Sequence, residues 1–467
     1  MFEWSLAQCP RHKVEDECRP TKIAVKVVGR TLGNSIHDLV RELFPICRSI
    51  TGDGVRETLR IVQRELPQLR LEEVPSGSQC FDWIVPPEWN IRDAYVIDPE
   101  GNKIIDFKKS NLHVVSYSMP VDAVVPLSVL QEHLHSLPEL PHAIPYLTSY
   151  YEERWGFCVP HIQRQALKEG DYRVLIDSTL EPGNLTYGEL IIPGDGEEEV
   201  FISTYVCHPS LANNELSGPT VSTFLAKQIQ EWSSRRYTYR FVFLPETIGS
   251  IVYLARNLDH LRERVVAGFN VTCVGDDGTY SYLPSRDGNT LADEVALHVL
   301  KHTAPDFRRY SFLDRGSDER QYCSPGVDLP VVSVMRTKYG EYAQYHTSDD
   351  DLNFVTPSGL EGGYMALLRC VECLERNVRL QNAILCEPQL GRRRLYPTLG
   401  GSRESASDGI AMLLDVLAYC DGTRSLLSLA EEIGRPMWEL IETVDALEQH
   451  ELLRVMRTDG DRRLDKS

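Results

Sequence analysis

The 467-residue sequence contains no apolar run near the roughly 20 residues that a membrane-spanning helix needs. Its first residues, Met1 to Trp4, lead into a charged segment without an apolar core, so no signal peptide is expected. Basic residues are fewer than acidic ones. The chain has 49 Lys and Arg and 68 Asp and Glu, which give a net charge of -19. This charge argues against nucleic acid or an anionic membrane surface as a partner.

A disulfide framework is also missing. The 12 cysteines are scattered along the chain, a pattern typical of reduced thiols in a cytoplasmic protein. Cys9, His12 and Cys18 could together contact a metal, but a structural zinc site needs four ligands and no fourth follows at a recognisable spacing. We therefore interpret residues 1–34 as a tail.

Short apolar segments rich in β-branched residues alternate with amphipathic helical patterns over much of the chain. This alternation predicts an α/β domain with a mixed, mostly parallel sheet and helices on both faces, formed by residues 35–72 and 161–385. The predicted strands of this sheet are 172–176, 188–192, 200–206, 240–244, 267–271 and 329–334.

Two further segments differ from this domain in their sequence pattern. Between residues 73 and 160, Gly, Pro and Asn interrupt short β-rich pieces, which predicts an inserted β-rich domain. Residues 391–467 contain a Gly/Ser-rich hinge at 400–402, then three helical patterns and a short strand, which predicts a winged helix. This module carries 14 acidic and 11 basic side chains, so a structural or partner-docking role is favoured over DNA binding.

Polar stretches follow several predicted strands, where open α/β sheets place their ligands. Two well-separated histidines in these stretches, His208 and His346, together with carboxylates, suit a first-row metal ion, zinc first among them. Glu246 lies in another of the stretches and would serve as a general base that takes a proton from metal-activated water. The stretches are Cys207–Gly218, Pro245–Ser250, Asp276–Asp277 and Gln344–Asp350.

Longer strings from residue 36 to the C-terminus resemble a known family. They look like the zinc aminopeptidase fold of the co-catalytic metallopeptidases, and more closely like bacterial polysaccharide-biosynthesis proteins with an aminopeptidase-like domain. The resemblance implies a peptidase-like domain flanked by an inserted β-domain and a C-terminal winged-helix-like domain. The strings are Ser49–Gly54, Pro145–Tyr151, Trp155–Cys158, His208–Gly218, Pro245–Ser250, Gly316–Tyr322, Tyr345–Asp349 and Leu395–Pro397.

The family's metal ligands are matched only in part. His208 and His346 match two histidine ligands, and Glu246 matches the general base. Thr247 and Thr272 stand where the family has a Glu and an Asp ligand, and Asn214 stands at the bridging Asp.

The resemblance therefore implies a broken two-metal site that holds at most one zinc ion tightly. That ion would be held by the two histidines and a third group, which is either Asn214 through its carbonyl oxygen or Glu215.

A second set of residues is expected beside the metal. Arg286, Asp318, Glu319, Arg320 and Tyr322 could hold a substrate carboxylate or amine, or could form an ordinary ion-pair network. The leading hypothesis is a mononuclear zinc aminopeptidase or amidase that acts on a small or modified peptide-like substrate. The alternatives are a degraded relative that binds a small molecule or partner, and a regulatory protein that uses the winged helix. A homo-oligomer is left open.

Overall fold

The computed structural model describes residues 31–393, 395 and 403–456, with only the backbone for 403–408. Cys9, His12 and Cys18 lie outside the described residues, as do the rest of the tail up to residue 30 and the hinge at 400–402. No helix in the described part of the chain combines the length and apolar character needed to cross a membrane. The cytoplasmic location stays a prediction.

Helices and strands alternate through the chain, as the patterns predicted. The helices are α1 Leu32–Leu43, α2 Asp53–Glu65, α3 Leu127–Glu132, α4 His161–Gln165, α5 Ala212–Glu215, α6 Ser217–Gln230, α7 Ile248–Arg264, α8 Leu291–Thr303, α9 Glu319–Tyr322, α10 Pro357–Arg376, α11 Arg403–Tyr419, α12 Leu426–Ile433 and α13 Met437–Gln449. Short 3-10 turns lie at Asn111–His113, Phe312–Asp314 and Leu390–Arg393. The strands are β1 Arg70–Pro75, β2 Gln79–Cys80, β3 Trp83–Ile84, β4 Glu88–Ile97, β5 Lys103–Asp106, β6 Val121–Pro126, β7 Leu134–His135, β8 Phe157–Cys158, β9 Asp171–Glu181, β10 Asn184–Ile192, β11 Glu199–Tyr205, β12 Thr238–Leu244, β13 Val265–Asn270, β14 Ser281–Leu283, β15 Arg308–Arg309, β16 Val331–Met335, β17 Arg379–Asn382, β18 Asp421–Ser425 and β19 Leu453–Met456.

The main sheet has eight strands in the order β1-β10-β12-β11-β13-β16-β14-β15. Its centre is parallel, because β11 pairs in parallel with β12 and β13, and β13 pairs in parallel with β16. Strands β1 and β10 extend it in antiparallel fashion on one side, and β14 does so on the other. The predicted mixed, mostly parallel sheet is confirmed in this region.

Every residue of the central strand β11 is buried, which explains its continuous apolar sequence. Val200 and Ile202 face a large core that also contains residues of α1, α6, α8 and α10. Phe201 and Tyr205 point to the opposite face and pack in a second core with α7. Helices therefore cover both faces of the sheet. The loops that follow the ends of its strands are left to carry the site.

The inserted region forms a separate antiparallel sheet in the order β5-β4-β9-β6. The sequence-based assignment of residues 172–176 to the main sheet is wrong, because this segment belongs to β9 and pairs with β4 and β6. Tyr172, Val174 and Ile176 are buried in the core of the insert while their neighbours are more exposed. Such alternation is typical of an antiparallel strand with one face packed on a core and the other toward solvent, rather than of a parallel strand buried on both faces.

The C-terminal winged helix consists of α11, α12, α13 and a three-stranded sheet in the order β18-β17-β19. Sequence patterns predicted the helices and the last strand but not β17 or β18. These two strands are short and mostly polar, so they offer no apolar run to detect. Strand β17 also precedes residue 391, where the module was predicted to begin.

Helices α12 and α13 dock on the main α/β domain. The backbone N–H of Met437, at the start of α13, donates to His298 Nε2 on α8 at 2.9 Å. Further along α13, Asp445 forms an ion pair with Arg376 on α10. On α12, Glu431 accepts from His298 Nδ1 at 2.5 Å. The third helix of the module, which corresponds to the recognition helix of helix-turn-helix proteins, thus contacts the main domain through Met437 and Asp445.

Candidate metal centre

The predicted site residues gather beyond the carboxyl ends of the parallel strands. His208 follows β11, Glu246 follows β12 and Thr272 follows β13, while the loop after β16 carries His346. Because neighbouring parallel strands end at the same edge of a sheet, residues far apart in sequence meet there.

Three residues at this edge form a group that could hold a metal ion. His208, Glu215 and His346 each offer one ligand atom, and these atoms all lie within 4.8 Å of one another. His208 Nε2 is 3.9 Å from Glu215 Oε1. The structure thus brings both predicted histidines together with Glu215, one of the two alternatives for the third ligand.

The chemistry of these residues fits a zinc ion. Both carboxylate oxygens of Glu215 are buried without a hydrogen-bond partner, and burial raises its pKa well above the ordinary value. Burial also lowers the pKa of His208 and of His346 to about 3, so both imidazoles are neutral and offer a lone pair. A divalent cation would compensate the buried carboxylate, and two imidazoles with one carboxylate are a common zinc donor set.

Aromatic residues of the insert and of the loop after β16 pack against the two histidines. The Tyr150 hydroxyl lies 2.7 Å from His208 Nδ1, which leaves Nε2 directed toward the acidic residues. The Tyr146 ring stacks on His208 with 4.4 Å between centroids, and the Tyr146 N–H donates to the carbonyl of His346. Tyr345 stacks on His346 at 3.9 Å. A hydrogen bond at the second ring nitrogen, such as that between Tyr150 and His208, fixes the orientation of a histidine and raises its affinity for metal.

Glu246 has the position and the environment of a general base. Its Oε2 lies 3.1 Å from His208 Nε2, and its side chain is 17% exposed. Burial raises its pKa to about 7, while the positive charge of Arg320 partly opposes that rise. A carboxyl group that titrates near neutrality can both take up and release a proton.

The two threonines that replace family ligands are bound to protein groups. The Thr247 N–H donates to Asp318 Oδ1 at 2.7 Å, and its hydroxyl accepts from Arg320 Nη2 at 2.6 Å. Thr247 also has a left-handed backbone (φ 64°), which is rare for a β-branched residue. The Thr272 hydroxyl donates to the backbone carbonyl oxygen of Asn214 at 3.0 Å. Neither position offers a carboxylate to a second metal ion.

Asn214 lies beside His208, Glu215 and His346, and its side-chain oxygen has no hydrogen-bond partner. Its amide nitrogen donates to the Tyr205 hydroxyl at 2.9 Å, whereas its Oδ1 is buried without a hydrogen-bond partner. The backbone N–H groups of Asn213 and Asn214 both donate to Asp350, whose pKa burial raises to about 7. Asp350 lies in one of the polar stretches of the sequence, but no local pattern indicates that it anchors this loop.

Three of the predicted substrate-binding residues are engaged elsewhere. Glu319 is buried, and its carboxylate accepts from the backbone of Gly316 and Ser317 and from the side chains of Tyr339 and Asn270. These contacts occupy the Glu319 carboxylate within the protein, and its role in substrate binding stays a prediction.

Tyr322 and Arg286 also make contacts within the protein, and their roles in substrate binding stay predictions. The Tyr322 hydroxyl is fully buried and lies 2.6 Å from Ser203 Oγ on β11. Arg286 forms ion pairs with Asp287 and Asp328 and contacts none of the metal-binding candidates. Of the predicted set, Asp318 and Arg320 are the two that lie next to Glu246, through their contacts with Thr247.

A cavity of about 710 Å³ is lined by residues of the inserted region, between Ser76 and Pro182. Tyr150, which contacts His208, forms part of its wall together with Trp83, Tyr117 and Tyr151. Binding sites for small molecules are commonly concave, mostly apolar and of about this size.

This fold and site define an aminopeptidase-like α/β protein with an appended winged helix. A zinc aminopeptidase from Bacillus subtilis has a similar fold, with a TM-score of 0.53 at 12% identity over 73% of this chain and 94% of that structure. A peptidase M28 precursor from Shewanella amazonensis gives a TM-score of 0.52 at 11% identity over 76% and 94%. At these identities the likeness shows the fold alone.

Closer relatives show the family. Residues 37–377 match the domain of unknown function DUF4910, and residues 378–455 match a winged helix-turn-helix family. A candidate polysaccharide biosynthesis protein with an aminopeptidase-like domain, from Clostridium acetobutylicum, is 45% identical over 91% of this chain and 97% of its own. A solved structure of a candidate peptidase from that organism is 44% identical, with a TM-score of 0.85 over 91% and 96%. The chain belongs to this aminopeptidase-like DUF4910 family, as its sequence motifs predicted.

Proposed function

We propose that this protein is a hydrolase that uses one zinc ion to cleave an amide or peptide bond in a small or modified peptide-like substrate, as one step of a biosynthetic pathway. The observation that carries the proposal is the meeting of His208, Glu215 and His346, with Glu246 beside them. The names of the relatives support a peptidase-like reaction and a place in biosynthesis.

Each residue of the centre has a chemical task in this proposal. A zinc ion held by His208, Glu215 and His346 would activate a water molecule and polarise the substrate carbonyl. Glu246 takes a proton from the attacking water at its carboxylate and returns it to the departing amine nitrogen. Tyr150 keeps the His208 ring oriented through Nδ1. The aromatic cavity beside Tyr150 would receive an apolar part of the substrate.

Removing the metal is expected to abolish hydrolysis reversibly. The test uses a panel of aminoacyl nitroanilides, dipeptides and N-acyl amino acids, with the protein as purified, after dialysis against a chelator, and after addition of one equivalent of zinc. We expect activity to disappear on dialysis and to return with zinc. Undiminished hydrolysis by the metal-free protein would contradict the proposal.

A second candidate function follows from the missing carboxylates. Asn214, Thr247 and Thr272 leave fewer charged ligands than the family's two-metal pattern has, which favours a protein that binds a small molecule without cleaving it. Zinc binding without hydrolysis of any member of the panel would support this alternative.

The winged helix, we propose, has a structural role rather than a nucleic-acid-binding one. Its excess of acidic side chains opposes phosphate contacts. On α13, Met437 and Asp445 contact the main domain. We expect the full chain to bind a mixed-sequence DNA duplex more weakly than about 10⁻⁴ M at physiological salt. A gel-shift titration checks this, and tight, salt-sensitive binding would contradict it.

A further inference from the structure

Arg320 is an exposed positive charge beside the candidate general base. Its Nη2 donates to the hydroxyl of Thr247, the residue that follows Glu246. In the part of the chain that the structure describes, no carboxylate forms an ion pair with Arg320. The guanidinium carries five N–H donors, so several remain for another molecule.

The neighbouring acids are poorly placed to receive a substrate amine. Glu319 already accepts hydrogen bonds from four protein groups and is buried. Asp318 is fully buried: its Oδ1 accepts from the Thr247 N–H and the Ser250 hydroxyl, and its Oδ2 has no hydrogen-bond partner but is closed off from solvent. The exposed charge next to Glu246 is therefore positive, and it would repel an ammonium group.

We propose that Arg320 binds a carboxylate of the substrate, close to the amide bond that is cleaved. This inference rests on the proposed function and makes it more specific. A planar guanidinium fits a carboxylate through two parallel hydrogen bonds, and such charge-assisted pairs are stronger than neutral ones. The substrate class is then an amide that carries a carboxylate near the scissile bond, such as an N-acyl amino acid, rather than a peptide recognised by its free amine.

Three small hydroxamates of similar size test this binding without requiring catalysis. Acetohydroxamate is neutral, glycine hydroxamate carries an ammonium group, and malonic acid monohydroxamate carries a carboxylate, while each binds zinc through the same group. With the zinc-loaded full chain, calorimetry should show the carboxylate probe binding about tenfold or more tightly than the neutral one. The ammonium probe should bind more weakly than both.

Variants of Arg320 separate charge recognition from a structural effect. Arg320→Gln should remove the preference for the carboxylate probe and leave the affinity for acetohydroxamate unchanged, whereas Arg320→Lys should keep part of it. Arg315→Gln, at another exposed arginine, whose guanidinium lies over the Phe312 ring, is the matched control and should keep the whole preference.

The possible failures are distinguishable. Three results would overturn the role of Arg320 without affecting the proposed reaction. They are tightest binding of the ammonium probe, equal binding of all three probes, and a carboxylate preference that survives in Arg320→Gln. If none of the probes binds to the zinc-treated protein, both this inference and the proposed metal function are overturned. A carboxylate preference without hydrolysis of any substrate would support Arg320 and contradict only the proposed reaction.

Discussion

The Glu246→Gln variant is expected to lose about 10²–10⁴-fold in turnover while it keeps its zinc. Gln has nearly the same shape as Glu, but it cannot accept a proton at neutral pH. Glu246 lies 3.1 Å from His208 Nε2 and has a pKa near 7, so this change removes the group best placed to accept a proton. The turnover number on the best-cleaved member of the panel is compared with the zinc content of the same sample.

Glu341→Gln supplies the control for this experiment. Glu341 lies on the loop that leads to His346 but is exposed, so its loss of charge should leave turnover within about twofold of the wild type. Near-full turnover of Glu246→Gln with zinc bound would remove Glu246 from the mechanism.

The Glu215→Gln variant is expected to bind zinc more than about 100-fold more weakly than the wild type, since loss of a group that only orients a ligand already costs 10–100-fold. A buried carboxylate with no hydrogen-bond partner gains more from a cation than a neutral amide does. The affinity is measured by competition with a chromophoric chelator at fixed pH and salt. Thermal unfolding of the metal-free proteins checks that the variant folds.

Substitutions at Asn214 decide between the two alternatives for the third ligand. If Glu215 is the ligand, Asn214→Ala should change zinc affinity far less than Glu215→Gln does, and Asn214→Asp should add little. If Asn214 is the ligand, Asn214→Asp should tighten zinc binding, because it supplies a charged oxygen. A large loss in Asn214→Ala with none in Glu215→Gln would overturn the assignment of Glu215.

The sequence was sufficient to predict the elements whose burial is uniform. Strand β11 is buried along its whole length, and its apolar run identified it together with the parallel centre of the sheet. Strand β9 also contains apolar residues, but the local pattern does not say which sheet it joins. Its partners β4 and β6 lie far away in the chain, so only the tertiary structure could assign it.

The candidate site was predictable where a residue type implies its chemistry, as for His208 and His346. The choice between Asn214 and Glu215 was not, because both lie in the single turn of α5, where successive side chains point about 100° apart. The hydrogen bonds of Glu319 were not predictable for a related reason. Its partners Asn270 and Tyr339 come from other segments, and a linear motif does not show them.

The aromatic residues around the histidines could not be assigned from local sequence either. Tyr146 and Tyr150 belong to the inserted region, about 60 residues before His208, and their contacts depend on how the insert packs against the main domain. The string Pro145–Tyr151 marked the segment as similar to the family, but it did not indicate that Tyr150 contacts a metal-binding candidate.

The most direct test of the single-metal centre is an anomalous difference map, recorded at the zinc edge from crystals of the zinc-loaded protein. We expect one peak per chain, about 2.0–2.2 Å from a nitrogen of His208, a nitrogen of His346 and an oxygen of Glu215. Two peaks near these residues, or one peak that Glu215 does not contact, would contradict the account.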